Sequence, residues 1–410
     1  MTLEQQQQLE ETYVMHTFGR KPVELVEGSG MTVRDDEGNE YLDFIAGIGV
    51  ISLGHCHPAL VKTLSDQAAR LMHVSNYYYI EGRGELAKKI SNLLNLNAAG
   101  AHTEPWQTFF ANSGAEANEC AIKLARLYAR RQAEAAGSDA RPQIIVTLER
   151  SFHGRTCETL AATAQPVKQE AFSPLPTEKL YVPVPANDVA ALEAVFAKMG
   201  DQICGVLIEP VQGECGVYPC TEEYLQAARR LTRENDAVLI FDEVQCGMFR
   251  CGTPFGFQHS DVQPDIVTMA KGIGGGVPMG ACTARTHIAK VFEPGLHGST
   301  FGGSCLAIAA ANTVLDTIEA EDIAQNVVEV GAYLREKLAT LPHVNEVRGL
   351  GLMNAAEFDE TVDAFAVTTA ALKVGLLLNA PGPHTLRFLP PLICTREDVD
   401  ELIERLEPLL

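Results

Sequence analysis

The sequence predicts an α/β protein with a large, mostly parallel sheet and a smaller α+β unit. Three observations carry that prediction. The chain has 410 residues, more than one hydrophobic core usually serves. Between about 105 and 285, short apolar runs alternate with amphipathic helical stretches, the rhythm of parallel strands covered by helices on both faces. Beyond about 310 that rhythm gives way to helical periodicity followed by short strands. With 46% apolar and 21% charged residues, disorder is excluded.

The elements follow in chain order. An N-terminal arm leads to a hairpin in which Met31-Thr-Val-Arg and Tyr41-Leu-Asp-Phe flank Asp35-Asp-Glu-Gly-Asn, where Gly38 and Asn39 tolerate positive φ. A small-residue stretch from Ala46 precedes a helical pattern from Pro58 to about Leu71. The strand candidates are Thr108-Phe-Phe-Ala, Ile144-Ile-Val, Cys204-Gly-Val-Leu-Ile, Ala237-Val-Leu-Ile-Phe, Ile266-Val-Thr-Met and Gly280-Ala-Cys-Thr. Ile323, Val327, Val330, Leu334, Leu338 and Leu341 recur at helical spacing. Short strands are expected near Leu376-Leu-Leu and Leu386-Arg-Phe-Leu, and a closing helix capped by Thr395. The expected division is residues 1–55 as arm and hairpin packing with the small domain, 56–308 as the large domain, and 309–410 as the small domain.

Composition removes several classes of function. The net charge of −21 opposes nucleic-acid or anionic-membrane binding, which both need a basic footprint. A few arginines inside an acidic protein can still hold anionic substrates. No apolar run approaches the ~20 residues of a membrane span, and the polar, acidic start is unlike a signal or transit peptide. A cytoplasmic location is expected. The eleven cysteines are scattered and make no CxxC, so packed thiols are expected, and no metal.

In open α/β sheets, chemistry gathers beyond the carboxyl ends of the strands. Three motifs sit there. Ala111-Asn-Ser-Gly-Ala-Glu opens a helix, and Ser113, Gly114 and Ala115 would present a hydroxyl and free amides to an anion; an ordinary strand-to-helix turn is the plain alternative. Phe241-Asp-Glu-Val-Gln ends a buried strand with two acids. Alternation puts Asp242 and Val244 on one side, Glu243 and Gln245 on the other. A buried acid needs a cationic partner, either a protonated heterocyclic nitrogen or a structural ion pair. Met269-Ala-Lys-Gly-Ile-Gly-Gly-Gly follows the next strand. Desolvation there would lower the pKa of Lys271 and free its amine for Schiff-base work, unless it is simply a surface lysine. Walker, GxSxG, HExxH and GxGxxG signatures are missing. Phosphate seat, ring-nitrogen counter-ion and aldehyde-binding amine together are the three handles of pyridoxal 5'-phosphate.

With Leu53-Gly-His-Cys-His-Pro, Asn112-Ser-Gly-Ala-Glu-Ala-Asn, Ser151-Phe-His-Gly-Arg-Thr, Glu209-Pro-Val-Gln-Gly-Glu, Ala270-Lys-Gly, Gly298-Ser-Thr-Phe-Gly-Gly and Leu386-Arg-Phe, the chain resembles the class III (ornithine-type) aminotransferases over nearly its whole length. The acetylornithine branch is the nearest in pattern. The resemblance implies the aspartate-aminotransferase-like fold of type I pyridoxal-phosphate transferases and a homodimer with its site at the interface. Lys271 would form the cofactor Schiff base and shuttle protons, and Asp242 would keep the pyridine nitrogen protonated. Phe152 and Val244 would sandwich the ring, and Gln245 would contact its phenolic oxygen. Ser113, Gly114 and Ala115 would hold the phosphate, helped by Thr300 of the other subunit. Glu243 counts among the cofactor residues, and Ser299 would lie near substrate.

The same resemblance assigns the substrate ends. Arg155 would bind the far carboxylate, and Arg387 the α-carboxylate of glutamate or 2-oxoglutarate. Glu214 would mask Arg387 when an amine donor without a carboxylate at that end is bound. The implied reaction transfers the amino group of N-acetyl-L-ornithine to 2-oxoglutarate in a ping-pong cycle of arginine biosynthesis. Ornithine, succinylornithine, N-acyl-lysine-type and 4-aminobutyrate aminotransferases are the alternatives, their difference resting on a far-end pocket that Ser75–Tyr79 would line. A catalytically silent binding protein on this fold is a remoter alternative. Cys215, Phe249 and Cys251 depart from the family pattern, which has Gly, Gly and Thr there, and Cys215 puts the geometry of the switch in doubt.

Overall fold

The computed structural model describes residues 2–96 and 104–410. A seven-stranded sheet forms its centre, with strands numbered here in chain order: β1 (Trp106–Ala111), β2 (Ile144–Leu148), β3 (Tyr181–Val184), β4 (Ile203–Ile208), β5 (Val238–Asp242), β6 (Ile266–Met269) and β7 (Gly280–Arg285). Their spatial order is β1-β7-β6-β5-β4-β2-β3. Strand β7 runs antiparallel to both its neighbours, β1 and β6, and the other pairings are parallel. All six apolar runs picked out in the sequence are strands. The edge strand β3 was not foreseen, because Pro183 breaks its apolar run and suits an unpaired edge.

Alternating side chains explain why the sheet is buried on both faces. In β5, Leu239 and Phe241 join one apolar cluster, while Val238 and Ile240 join another on the opposite face. Burying a side chain of this size contributes about 1.5–3 kcal/mol, enough for a strand with no polar residue before Asp242. The helix Gly114–Ala135 covers the second face with Cys120, Ala121, Leu124 and Ala125.

A third cluster belongs to the smaller unit. The predicted periodicity appears as the helix Ile323–Leu338, whose Ile323, Val327, Val330, Leu334 and Leu338 are buried. It packs near a four-stranded antiparallel sheet that includes Met353–Phe358 and Thr385–Phe388. The helical stretch expected from about 310 is two helices, the first of them Cys305–Ala320. The closing helix Arg396–Leu406 begins at a capping box formed by Thr395 and Asp398. The N-terminal hairpin pairs Thr32–Asp35 with Glu40–Asp43, and Glu40–Asp43 also pairs in parallel with Leu376–Leu377. Among the described residues no helix is long and apolar enough to cross a membrane.

Candidate active site

The carboxyl ends of β1, β2, β4, β5 and β6 share one edge of the sheet, and a cavity of about 450 Å³ opens there. Asp242 ends β5: its Oδ1 accepts the Val244 N–H at 3.0 Å and turns the chain out of the sheet. The carboxylate is buried. Its Oδ2 is 2.7 Å from His153 Nδ1 and accepts an N–H of Asn118, also at 2.7 Å. Asn118 further donates to the His153 carbonyl at 2.8 Å, and its Oδ1 accepts the Thr268 hydroxyl at 2.7 Å. One amide thus ties the helix Gly114–Ala135 to β5, β6 and the loop after β2. The ring nitrogen His153 Nε2 is buried without a hydrogen-bond partner among the described residues. Asn118 and His153 stood inside quoted motifs without a role; an Asn inside a helix carries no local signal of the partners it will meet.

Lys271 follows β6 and starts a short 3₁₀ turn, with φ at +49°. That left-handed conformation costs a non-glycine residue roughly 1–2 kcal/mol, strain of the kind that gathers at functional sites. The side chain is half-buried and lines the cavity, and among the described residues no hydrogen bond or ion pair holds its amine. Burial pushes its pKa below the ordinary lysine value; Asp242 opposes the shift and Arg387 adds to it.

Ser113 caps the helix Gly114–Ala135 by accepting the Glu116 N–H at 3.2 Å. The Gly114 and Ala115 amides bond to no acceptor among the described residues and face the cavity at the positive helix end. Glycine is required at 114, because a Cβ there would lie 2.7 Å from Val244 Cγ1. Phe152 and Val244 both line the cavity. The Phe152 N–H donates to Glu209 Oε1 at 2.8 Å. Burial lifts Glu209 to about 7, with His153 opposing and Asp242 reinforcing. Arg155 lies at the exposed mouth with its guanidinium 5.5 Å from the Phe152 ring centre.

Arg387 is buried beside this cavity in the strand Thr385–Phe388. Its Nε and one terminal nitrogen donate to Asn379 Oδ1 at 3.0 and 2.7 Å. The other terminal nitrogen donates to the Gly213 carbonyl at 2.7 Å, to Gln245 Oε1 at 3.2 Å and to Glu214 Oε2 at 3.5 Å. The other Glu214 oxygen accepts from Lys168 at 3.1 Å. Burial alone would raise the Glu214 pKa, but Arg387 and Lys168 hold it below its ordinary value. Sequence reading named Arg387 and Glu214 and missed Lys168, Asn379 and Glu209. Glu209 stood inside a quoted motif without a role; Lys168 and Asn379 reach the site only through tertiary packing.

Some expectations need correcting. Glu243 faces away from the cavity: its carboxylate accepts the Gly256 and Phe257 N–H groups, both at 2.8 Å, and the Cys246 thiol. It holds the loop after β5 in place and touches no cavity residue's side chain through these bonds. Gln245 lies with Asp242 and Val244 in the cavity lining, because strand alternation stops at Asp242. Ser299 and Thr300, expected at the site of a second copy, lie outside the cavity of their own chain, which leaves that expectation standing; Ser299 Oγ accepts from Gly302 N at 3.0 Å and from Asn112 at 3.1 Å, and Thr300 is exposed. Tyr77 and Tyr79 are also exposed. Cys215 does not have a positive φ; the positive-φ positions that follow it are Gly216 at +115° and Val217 at +57°. The cysteine itself therefore adds no left-handed strain to the switch backbone. Phe249 does have one, at +63°.

Free amides at a helix end, aromatic and apolar walls, a buried acid at the far wall and an unpaired amine fit pyridoxal phosphate in kind. On this sheet, that cavity defines a fold-type-I pyridoxal-phosphate-dependent transferase. The profile of the family described as aminotransferase class-III matches residues 14–410, and the chain belongs to that family of aminotransferases. It is 46% identical over 405 residues to an acetylornithine aminotransferase of Caldanaerobacter subterraneus, covering 98% of each chain. It is 48% identical over 397 residues to that of Thermosynechococcus vestitus, covering 94% of this chain and 92% of the relative. Among solved structures, the ornithine aminotransferase of Toxoplasma gondii superposes with a TM-score of 0.90 at 30% identity, covering 100% of this chain and 95% of that one. The acetylornithine aminotransferase of Elizabethkingia anophelis superposes at 0.84 with 32% identity, covering 100% and 99%. A second Toxoplasma gondii structure is described as having PLP at partial occupancy in its active site.

Proposed function

We propose that the protein transfers the amino group of N-acetyl-L-ornithine to 2-oxoglutarate, giving N-acetylglutamate 5-semialdehyde and glutamate, as a step of arginine biosynthesis in the cytoplasm. The names of relatives at 46–48% identity support the substrate, and the Toxoplasma gondii structure with PLP supports the cofactor. The observation that carries the reading is the Lys271 amine, lining the cavity with no hydrogen-bond or ion-pair partner among the described residues.

Pyridoxal phosphate, when bound, supplies an aldehyde that condenses with amines and a protonated ring that accepts the electrons of a deprotonated substrate carbon. Lys271 Nζ, whose lowered pKa makes the neutral amine available, would serve as the base that moves the substrate proton. Asp242, fixed by His153 and Asn118, keeps the ring nitrogen protonated. Gly114, Ala115 and Ser113 hold the phosphate at the helix end, and Thr300 of a second copy completes that seat. Phe152 and Val244, which line the cavity, would hold the ring, and Gln245 would offer it a polar contact.

Arg155 at the mouth takes the far carboxylate, and Ser299 of the second copy lies near it. Arg387 takes the α-carboxylate of the keto acid, since its planar fork matches a carboxylate with two parallel bonds. Glu214 covers Arg387 while the donor's uncharged end is bound. The assembly is a homodimer, with residues 1–55, 56–308 and 309–410 as arm, large domain and small domain.

The test is a half-reaction spectrum of the purified protein with N-acetylornithine, ornithine or 4-aminobutyrate, without keto acid. Fastest bleaching of the near-visible band by N-acetylornithine, restored by 2-oxoglutarate, is expected. Faster bleaching by ornithine would overturn the substrate. A Lys271→Ala variant that still turned over would overturn the mechanism.

A further inference from the structure

Glu214 has two cationic partners. It meets Arg387 at 3.5 Å, the limit of a hydrogen bond, and Lys168 at 3.1 Å through its other oxygen. The side chains of Glu214 and Lys168 are only 28% and 19% exposed. Lys168 stands on the short helix Pro166–Gln169, and its ammonium lies 4.8 Å from the centre of the Phe152 ring. That aromatic contact keeps the lysine over the cavity wall when its acid partner moves.

An acid that must leave Arg387 for a keto acid to bind would, without a second partner, become an unpaired and partly buried carboxylate, a costly state. We propose that Lys168 is a positioning residue that sets substrate specificity by receiving Glu214 when a dicarboxylate occupies Arg387. This rests on the transamination of two dissimilar substrates proposed above. Lys168 lowers the cost of uncovering Arg387 and leaves the donor half-reaction, in which Glu214 stays on Arg387, unchanged. The closer contact to Lys168 means that Glu214 is already leaning towards its second partner.

The experiment compares wild type, Lys168→Met and Lys168→Arg in the two half-reactions, each followed by absorbance of the loaded holoenzyme, which also verifies folding. Methionine keeps the apolar stem over Phe152 and removes the charge. For Lys168→Met the KM for 2-oxoglutarate is expected to rise roughly five- to tenfold at unchanged limiting rate, with the donor half-reaction within about twofold. Lys168→Arg should restore the wild-type KM. In a Glu214→Gln background the same Lys168→Met change should alter the 2-oxoglutarate KM by less than about twofold. Equal losses in both half-reactions, or an undiminished loss beside Glu214→Gln, would show Lys168 touching substrate or merely supporting the fold, and would overturn the proposal. A wild type inert to every amine donor would instead remove the aminotransferase reading on which it rests.

Discussion

Replacing Asn118 by alanine removes three hydrogen bonds at once from a site 1% exposed. One runs to the Asp242 carboxylate, one to the His153 carbonyl and one from the Thr268 hydroxyl. A bond to a charged group contributes about 1.5–3 kcal/mol and a neutral one about 0.5–1.5 kcal/mol. The gross loss is then about 2.5–6 kcal/mol. A water in the vacated polar space recovers part of it, which leaves about 3 kcal/mol. For a chain of 410 residues, unfolding entropy of about 2.1 cal/mol/K per residue converts this to a fall in Tm of roughly 3–4 °C.

Differential scanning calorimetry on cofactor-free protein measures it without ligand stabilisation. Thr268→Val should cost less in the Asn118→Ala background than alone, since the hydroxyl has already lost its acceptor. The Asn118→Ala holoenzyme should also hold its cofactor more weakly, because Asp242 retains only His153 on that oxygen. A Tm within about 1 °C of wild type, with additive Thr268→Val, would refute the claim that this amide holds the cavity wall together.

Other outcomes follow from single residues. At Phe249 the usual order of small residues should invert: Phe249→Ala should be less stable than Phe249→Gly by about 1 kcal/mol, because the +63° φ penalises any Cβ; both should fall below wild type in urea denaturation, because Phe249 packs against two apolar clusters. Burial lifts the Glu243 carboxyl from 4.5 to about 7. Its protonated form is favoured in the folded state, so this group's stability is fully present below pH about 4.5 and is lost as pH rises through about 7; Glu243→Gln should flatten that part of the pH profile of urea midpoints, and an unchanged slope would refute the assignment. Because burial lowers the Lys271 pKa, the rate at which apoprotein captures pyridoxal phosphate should rise with pH along a curve centred below the ordinary lysine value. A stopped-flow midpoint at or above 10.5 would contradict the burial of that amine.

Much of the fold was legible because burial on both faces leaves continuous apolar runs, as in β4 and β5, and those runs announce their own ends. Asp242 and Lys271 were therefore found as polar residues abutting such runs, and Ser113 as a helix cap. Reading failed where neighbourhood is made by tertiary contact. Asn118 looks like any helical polar residue until β5 and β6 bring Asp242 and Thr268 to it. Lys168 sits 46 positions from Glu214 in sequence, and nothing local marks the pairing. Glu243 was misplaced because an acid beside a strand end can serve either the cavity or the loop behind it, and only the Gly256 and Phe257 amides decide. Glu209, like Asn118, was in view within a quoted motif and lacked only a partner to give it meaning.

The parallel pairing of Glu40–Asp43 with Leu376–Leu377 has a consequence for how the molecule comes into being. On a ribosome, residues 40–43 emerge early and their partners roughly 330 residues later. At about 5–20 residues per second, the hairpin waits some 20–70 s with one flank unpaired. Its Leu42 and Phe44, buried at the end, are exposed to solvent or to a chaperone in that interval. Vectorial synthesis thus leaves this hairpin without its outer partner until most of the chain has emerged, and a nascent polypeptide stalled before Leu376 would be a substrate for quality control however well its central sheet had formed.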